Sequence, residues 1–231
     1  MVVVTGSTGF IGSNLTAYLR NQDLVVLTPL RGVYPRAEKF IHCAGYGQPQ
    51  KALRDAHGTV VVNTAIVDEI LWSLPAGGRF LFISSQETKG VYGAAKLCGE
   101  TICKSHWEQG IKAYSAMLGH TFGPGTRRGD TRVLNQFIEQ ALKTGTIIPR
   151  LGTDKVITYL YIEEAVRLLW SFMLGTEQTA DIVGKDSIKV SDLARLVMEL
   201  VSGRKPETIF ESDLRKTIDY QRGLYGLEVA G

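Results

Sequence analysis

Neither sign of charge predominates in this chain. Its 26 Lys and Arg stand against 23 Asp and Glu, for a net charge of +3, and the two signs are interspersed throughout. That pattern carries neither a nucleic-acid footprint nor a membrane-surface patch. One local basic group, Gly125–Arg132 (GTRRGDTR), is the exception. Cysteine is scarce. Cys43, Cys98 and Cys103 are odd in number and fall at no paired metal-ligand spacing, so they read as reduced structural thiols of a cytoplasmic protein. No apolar run approaches the roughly 20 residues that cross a bilayer. The opening MVVVTGSTGFIGSNL is apolar but lacks a basic flank and is interrupted by three glycines, so neither a signal peptide nor a span is expected. A His/Asp/Glu cluster at metal-ligand spacing is missing too, as are a Gly-x-Ser-x-Gly elbow and a Cys–His nucleophile motif. No metal, nucleic-acid or membrane partner is therefore expected.

What is present is 231 residues, 44% hydrophobic and 21% charged, with 25 glycines: enough chain for a full core. Short apolar runs at Met1–Thr5, Asp23–Leu27, Lys39–Ala44, Arg79–Ile83 and Lys112–Leu118 read as strands. Between them, Gly9–Arg20, Thr59–Leu74 and Tyr92–Glu108 carry helical periodicity, with Gly110 as the cap of the last. Strands alternating with helices predict an α/β, Rossmann-like doubly wound parallel sheet. From Gly123 the texture changes. Helical patterns at Arg132–Lys143, Glu163–Leu174 and Val190–Val201 are separated by strand-like TIIPRL, TYLYI and ADIVG. The division expected is residues 1–122 as a dinucleotide-binding domain and 123–231 as a smaller, mostly helical substrate lobe, with room for strands to return to the main sheet.

VVVTGSTGFIG sets Gly6, Gly9 and Gly12 between the first strand and the first helix. The first glycine permits a tight turn, the second lets backbone approach a pyrophosphate, and the third lets helix pack closely on sheet. The helix start then favours the diphosphate. An acid at the end of the second strand would select NAD. Thr28 stands there instead, with Arg31 three residues on, so NAD and NADP are both open.

Further along, Tyr92 and Lys96 are four apart, on one face of a helix. A phenol with a pKa of about 10 is a poor base at neutral pH. A neighbouring ammonium favours its phenolate, which can then take a proton from a substrate hydroxyl as hydride leaves the carbon. Ser85, at the end of the preceding strand, would orient the same hydroxyl.

The order Thr-Gly-x-x-Gly-x-x-Gly, IHCAG (Ile41–Gly45), Asn63, Ser85 and Tyr92/Lys96 resembles the extended short-chain dehydrogenase/reductase superfamily, in its nucleotide-sugar epimerase/dehydratase group. The likeness continues through GHTFGPG (Gly119–Gly125), Asp130–Leu142 and Thr158–Leu169. It implies a catalytic set of Ser85, Tyr92 and Lys96, and oxidation of a nucleotide sugar to a 4-keto intermediate. It implies cofactor contacts from Gly6, Thr8, Gly9, Phe10, Ile11, Gly12, Thr28, Arg31, Cys43, Ala44, Gly45 and Asn63. Gln86, His120, Arg128 and Arg132 would then face the substrate. Glu87 matches the Ser/Thr-x-Glu pattern of UDP-glucuronate decarboxylases, where a second acid/base would sit; a solvated loop acid is the plainer reading. Two arginines usual in the group are replaced by Ile157 and Met117, and the chain is compressed after Arg31, between Gln86 and Tyr92, and around Lys205–Asp213. The resemblance also implies a homodimer through the Tyr92 helix, with Leu97 and Ile102 facing the partner, and the Thr59–Leu74 helix. His42 is expected to pack beside the cofactor, and His57 and His106 to lie on helix surfaces. A carbonyl reductase, or a dinucleotide-binding regulatory protein without catalysis, are the rival readings.

Overall fold

Four consecutive buried residues, VVVT, form β1 (Val2–Thr5) in the computed structural model, which describes residues 1–30, 32–45, 49–149 and 154–227. A strand with no polar alternation must be covered on both faces, and it is. β2 (Val26–Leu27) and β3 (Lys39–His42) flank it in parallel, and β4 (Arg79–Ser85), β5 (Lys112–Leu118) and β8 (Thr179–Ile182) extend the sheet. The order is β2-β1-β3-β4-β5-β8, parallel throughout. Helices α1 (Phe10–Arg20), α2 (Pro49–Arg54), α3 (Ala56–Asn63), α4 (Ala65–Ser73) and α5 (Gly90–Glu108) form the crossovers. The architecture is Rossmann-like. No strand forms among the described residues between β2 and β3, where the sequence is compressed, so β2 ends the sheet. From β1 the chain steps outward to β2 and then back across to β3. The topological switch point, where doubly wound sheets place their ligands, therefore lies at the carboxyl ends of β1 and β3.

The single helix expected over Thr59–Leu74 is broken at Thr64, whose φ of −127° and ψ of −80° are not helical. α3 ends there and α4 restarts. The Thr64 hydroxyl bonds back to the Val60 carbonyl at 2.7 Å, one of the local bonds by which threonine competes with the helix ladder. His106, expected at the surface, is buried on α5. Its Nε2 pairs with Asp68 Oδ1 on α4 at 2.8 Å, and its ring meets the Trp72 edge at 5.1 Å.

Contacts divide the chain into two units. The first is Met1–Gly119 with Ala165–Ile182, so most of α7 (Ile162–Leu174) and all of β8 belong to it. The second is His120–Glu164 with Val183–Gly231. It holds a sheet in the order β6-β7-β9, from β6 (His120–Phe122), β7 (Val156–Tyr161) and β9 (Asp186–Lys189). Its helices are α6 (Val133–Thr144), α8 (Val190–Val201) and α9 (Ile209–Tyr225). TIIPRL forms no strand over residues 146–149, and its last two residues lie outside those described. Ile157, where the resembling group carries an arginine, is buried opposite Ile188 in the β7–β9 pair.

Candidate active site

The turn after β1 is built on glycine because nothing larger fits. Gly6 has φ +66°, and a Cβ there would lie 2.6 Å from the Cys43 carbonyl; one at Gly12 would lie 2.2 Å from Gly6 O. Gly9 is the residue before α1, and its N–H donates to Gly6 O at 2.9 Å. The first turn of α1 contains no acid, so no carboxylate within that turn offsets its positive end. Thr8 is exposed, and Phe10 and Ile11 are half-buried at the helix start. Thr28 is exposed just past β2, and Arg31 lies outside the described residues.

The carboxyl end of β3 forms the other wall of the switch point. Cys43 and Ala44 are half-buried there, and burial pushes the Cys43 thiol up to about 12. Gly45 follows with φ +146°. A Cβ on it would fall 3.6 Å from Asn63 Oδ1 and 3.9 Å from Lys96 Nζ, so β3, α3 and α5 converge on this one glycine. Asn63 is fully buried. Its Nδ2 donates to Thr59 O at 2.8 Å, while its Oδ1 has no hydrogen-bond partner among the described residues. His42, at the end of β3, is fully buried in the core. Thr5 Oγ1 donates to its Nδ1 at 3.0 Å, its Nε2 donates to Val62 O at 2.9 Å, and the Phe80 and Phe82 rings flank it. Burial, and secondarily the Lys96 charge, push its pKa down to about 3.

Tyr92 and Lys96 share the buried face of α5. Lys96 Nζ donates to Ile83 O on β4 at 2.7 Å and lies 4.6 Å from the Phe82 ring centre. Burial lowers its pKa to about 8, while Cys43 and Glu100 act in the opposite direction. Ser85 is half-buried at the end of β4. Its Oγ accepts from Glu87 N at 3.1 Å, which leaves the hydroxyl proton to be donated elsewhere. Glu87 is exposed, and its Oε1 accepts from Lys89 N at 2.9 Å just before α5 begins. Gln86 is exposed beside it. The compressed joint lies so close on the helix that a Cβ at Gly93 would sit 2.2 Å from the Thr88 carbonyl carbon. Chemically, a buried ammonium one turn from a phenol can favour its phenolate, and a strand-end hydroxyl can donate to a neighbouring oxygen.

The remaining expected residues lie in the second unit. His120 is exposed, its ring 6.2 Å from that of Tyr159. Arg128 donates through Nε and Nη2 to Leu224 O and stacks over Tyr225. Arg132 grips Asp130 through Nε and Nη2 and donates to Thr121 O through Nη1. Burial acts to raise the Asp130 pKa, but the bonds and charge of Arg132 outweigh it and hold that carboxyl below the usual carboxylate range. Sequence reasoning missed Glu100, which accepts from the Ser84 hydroxyl. Its place four residues after Lys96, on the same helix face, was the available signal.

A doubly wound parallel sheet with a glycine turn at its switch point defines a dinucleotide-fold protein. The chain belongs to the NAD dependent epimerase/dehydratase family, whose model matches residues 30–183. It is 21% identical over 252 aligned positions to UDP-glucuronic acid decarboxylase 1 of Xenopus tropicalis, covering 87% of this chain and 60% of that protein. It is 27% identical over 225 positions to UDP-2-acetamido-2,6-beta-L-arabino-hexul-4-ose reductase of Pseudomonas aeruginosa, covering 90% and 59%. The chain thus spans about three fifths of the length of these curated relatives. In fold it is similar to the crystal structure of Thermotoga maritima UDP-glucose 4-epimerase with UDP-glucose, at a TM-score of 0.81 and 17% identity, covering 97% of this chain and 99% of that one.

Proposed function

We propose that this protein is an NAD(P)-dependent enzyme that oxidises a hydroxyl of a nucleotide sugar to a 4-keto intermediate, which it then epimerises, dehydrates or decarboxylates. The observation that carries the reading is the convergence of Lys96, Asn63 and Gly45 beside the switch point, with Tyr92 one helical turn from Lys96. The dinucleotide fits the residues present. Gly6 and Gly12 let the turn pack backbone-close against the end of β3 and the start of α1, α1 presents its N-terminus for a diphosphate, and Asn63 Oδ1 is a buried acceptor with no partner among the described residues. Thr8, Phe10, Ile11, Thr28, Cys43, Ala44 and Gly45 complete the expected contacts, with Arg31 beyond the described residues. When bound, the dinucleotide supplies a hydride acceptor that can return what it takes.

The chain's own work is proton handling. Lys96, an ammonium anchored on Ile83 O, favours the Tyr92 phenolate. Tyr92 takes the proton of the sugar hydroxyl as hydride leaves the carbon, and Ser85 donates a hydrogen bond to the same oxygen. Glu87 is the second-step acid/base in this reading, released from Lys89 N when substrate is present. Gln86, His120, Arg128 and Arg132 are the substrate-facing set, the arginines toward the diphosphate. A homodimer through α5 and the α3–α4 pair is supported by Leu97 at 58% and Trp72 at 65% exposure. A sedimenting monomer at micromolar concentration would remove that part.

Two observations favour a second reading, reduction of a keto sugar by NADPH. Glu87 is tied to the backbone N–H of Lys89, and a 27% identical relative is a reductase. Mass spectrometry of the dinucleotide retained by the purified protein, followed by incubation with a panel of nucleotide sugars, separates the two. Epimerised, dehydrated or decarboxylated product with no net change in cofactor redox state supports the first reading. Stoichiometric NADP formation from a keto sugar supports the second. Neither dinucleotide binding nor turnover would refute both.

A further inference from the structure

Glu100 lies on α5 four residues after Lys96 and eight after Tyr92, so successive turns carry the three side chains along one face. It is half-buried, and its Oε1 accepts a hydrogen bond from Ser84. Ser84 is itself buried and immediately precedes Ser85. One carboxylate on the helix that presents Tyr92 and Lys96 therefore grips the strand end that presents Ser85.

The charges around Lys96 single out the same residue. From β3 the His42 and Cys43 groups act on it through charge, from α3 Asn63 lies beside the same Gly45, from β4 the Ile83 carbonyl and the Phe82 ring meet it, and on α5 Tyr92 and Glu100 stand one turn away on either side. His42 is a neutral imidazole satisfied on both nitrogens, and Cys43 is a protonated thiol. Neither supplies a negative charge at neutral pH. The carboxylate of Glu100 does.

We propose that Glu100 is a positioning residue: it fixes the Ser84–Ser85 end of β4 against α5 and gives Lys96 the counter-charge that keeps it an ammonium. Its effect on turnover rests on the functional reading above, whereas its effect on Lys96 does not.

The lysine is read directly by NMR of protein labelled with 13C-lysine, its resonance assigned by its loss in Lys96→Arg. In Glu100→Gln the side-chain oxygen can still accept from Ser84 but the charge is gone. The Lys96 midpoint is then expected to fall by on the order of one pH unit, and Glu100→Asp is expected to restore it. An unchanged or raised midpoint in Glu100→Gln overturns the counter-charge role, whether or not any sugar is turned over. Ser84→Ala removes the bond and keeps the charge. It is expected to leave the Lys96 midpoint in place while kcat falls several-fold at constant KM, and parental kcat in that variant overturns the strand-fixing role. If the parent protein turns over no nucleotide sugar, the functional reading fails, and the Lys96 titration still decides the counter-charge.

Discussion

The Nζ of Lys96 donates a hydrogen bond to the carbonyl oxygen of Ile83, 2.7 Å away and two residues before Ser85. A helix-borne cation is thereby pinned to the main chain of the strand that ends in the candidate hydroxyl. Burying an ammonium among Phe82, Asn63 and Gly45 is costly, and that cost bears on stability as well as chemistry.

Tyr92→Phe tests the proton transfer. The ring stays in its buried place on α5, so dinucleotide affinity and melting temperature are expected to hold. Turnover should fall by at least about a hundredfold, as for loss of a general base. Parental kcat in this variant would sink the assignment of Tyr92.

Lys96→Met should trade activity for stability. Folding lowers the pKa of Lys96 from 10.5 to about 8. Below pH 8 it is charged in both states and the full burial cost stands. Between 8 and 10.5 the unfolded chain binds the extra proton, so wild-type stability rises through that window. The shift corresponds to roughly 3 kcal/mol, offset by about 1 kcal/mol for the lost bond to Ile83. Denaturant unfolding should show the methionine variant more stable at pH 7 by about 2 kcal/mol, with the advantage vanishing at about pH 9.5 and reversed by about 1 kcal/mol at pH 10.5. An equal or lower stability at pH 7 would count against a costly lysine.

His42 behaves as an acid-sensitive core residue. It stays neutral in the fold down to about pH 3, whereas in the unfolded chain it protonates near 6.5. Its contribution is intact above pH 6.5 and is lost progressively as pH falls toward 3, by roughly 4–5 kcal/mol in all. His42→Gln should be less stable at pH 7, through its lost bonds to Thr5 and Val62, yet show a shallower fall in stability between pH 6.5 and 4. Parallel pH curves for the two proteins would contradict this.

Two glycine substitutions should separate binding from turnover. Gly12→Ala pushes the turn after β1 off α1, so NAD(H) affinity measured by fluorescence titration is expected to drop tenfold or more (on the order of 1.4 kcal/mol per decade). Gly93→Ala displaces Thr88 and with it the joint holding Ser85 and Glu87. There, kcat should fall while dinucleotide affinity is kept. If both variants lose affinity equally, the two loops are not independent.

Much of this was legible in the sequence because each signal was local. Gly6 and Gly12 sit where an added Cβ would come within 3 Å of neighbouring backbone, and Tyr92 and Lys96 declare their shared face by spacing alone. What stayed hidden depends on partners far along the chain. His106 looks like a surface residue until Asp68, on another helix, is brought to it. The break at Thr64 involves no proline or glycine. α9 escaped notice because its buried stripe is Leu214, Thr217, Ile218, Gln221 and Arg222, three of them polar, which blurs the hydrophobic period. Its ends were readable all the same: Thr208 accepts from Glu211 N at 3.1 Å at the start, and Gly226 closes it with φ +68°.

β8 pairs in parallel with β5 over Ser115–Leu118, yet it lies beyond the whole of β6, α6 and β7 in the chain. During synthesis, then, the main sheet waits with the far edge of β5 uncovered until residue 182 has emerged, and an open parallel edge is an invitation to pair with a neighbouring chain. A fragment cut after Gly119 would carry the glycine turn, Ser85, Tyr92 and Lys96 but would keep that edge permanently bare. Such a fragment is a candidate for aggregation rather than for a minimal catalyst.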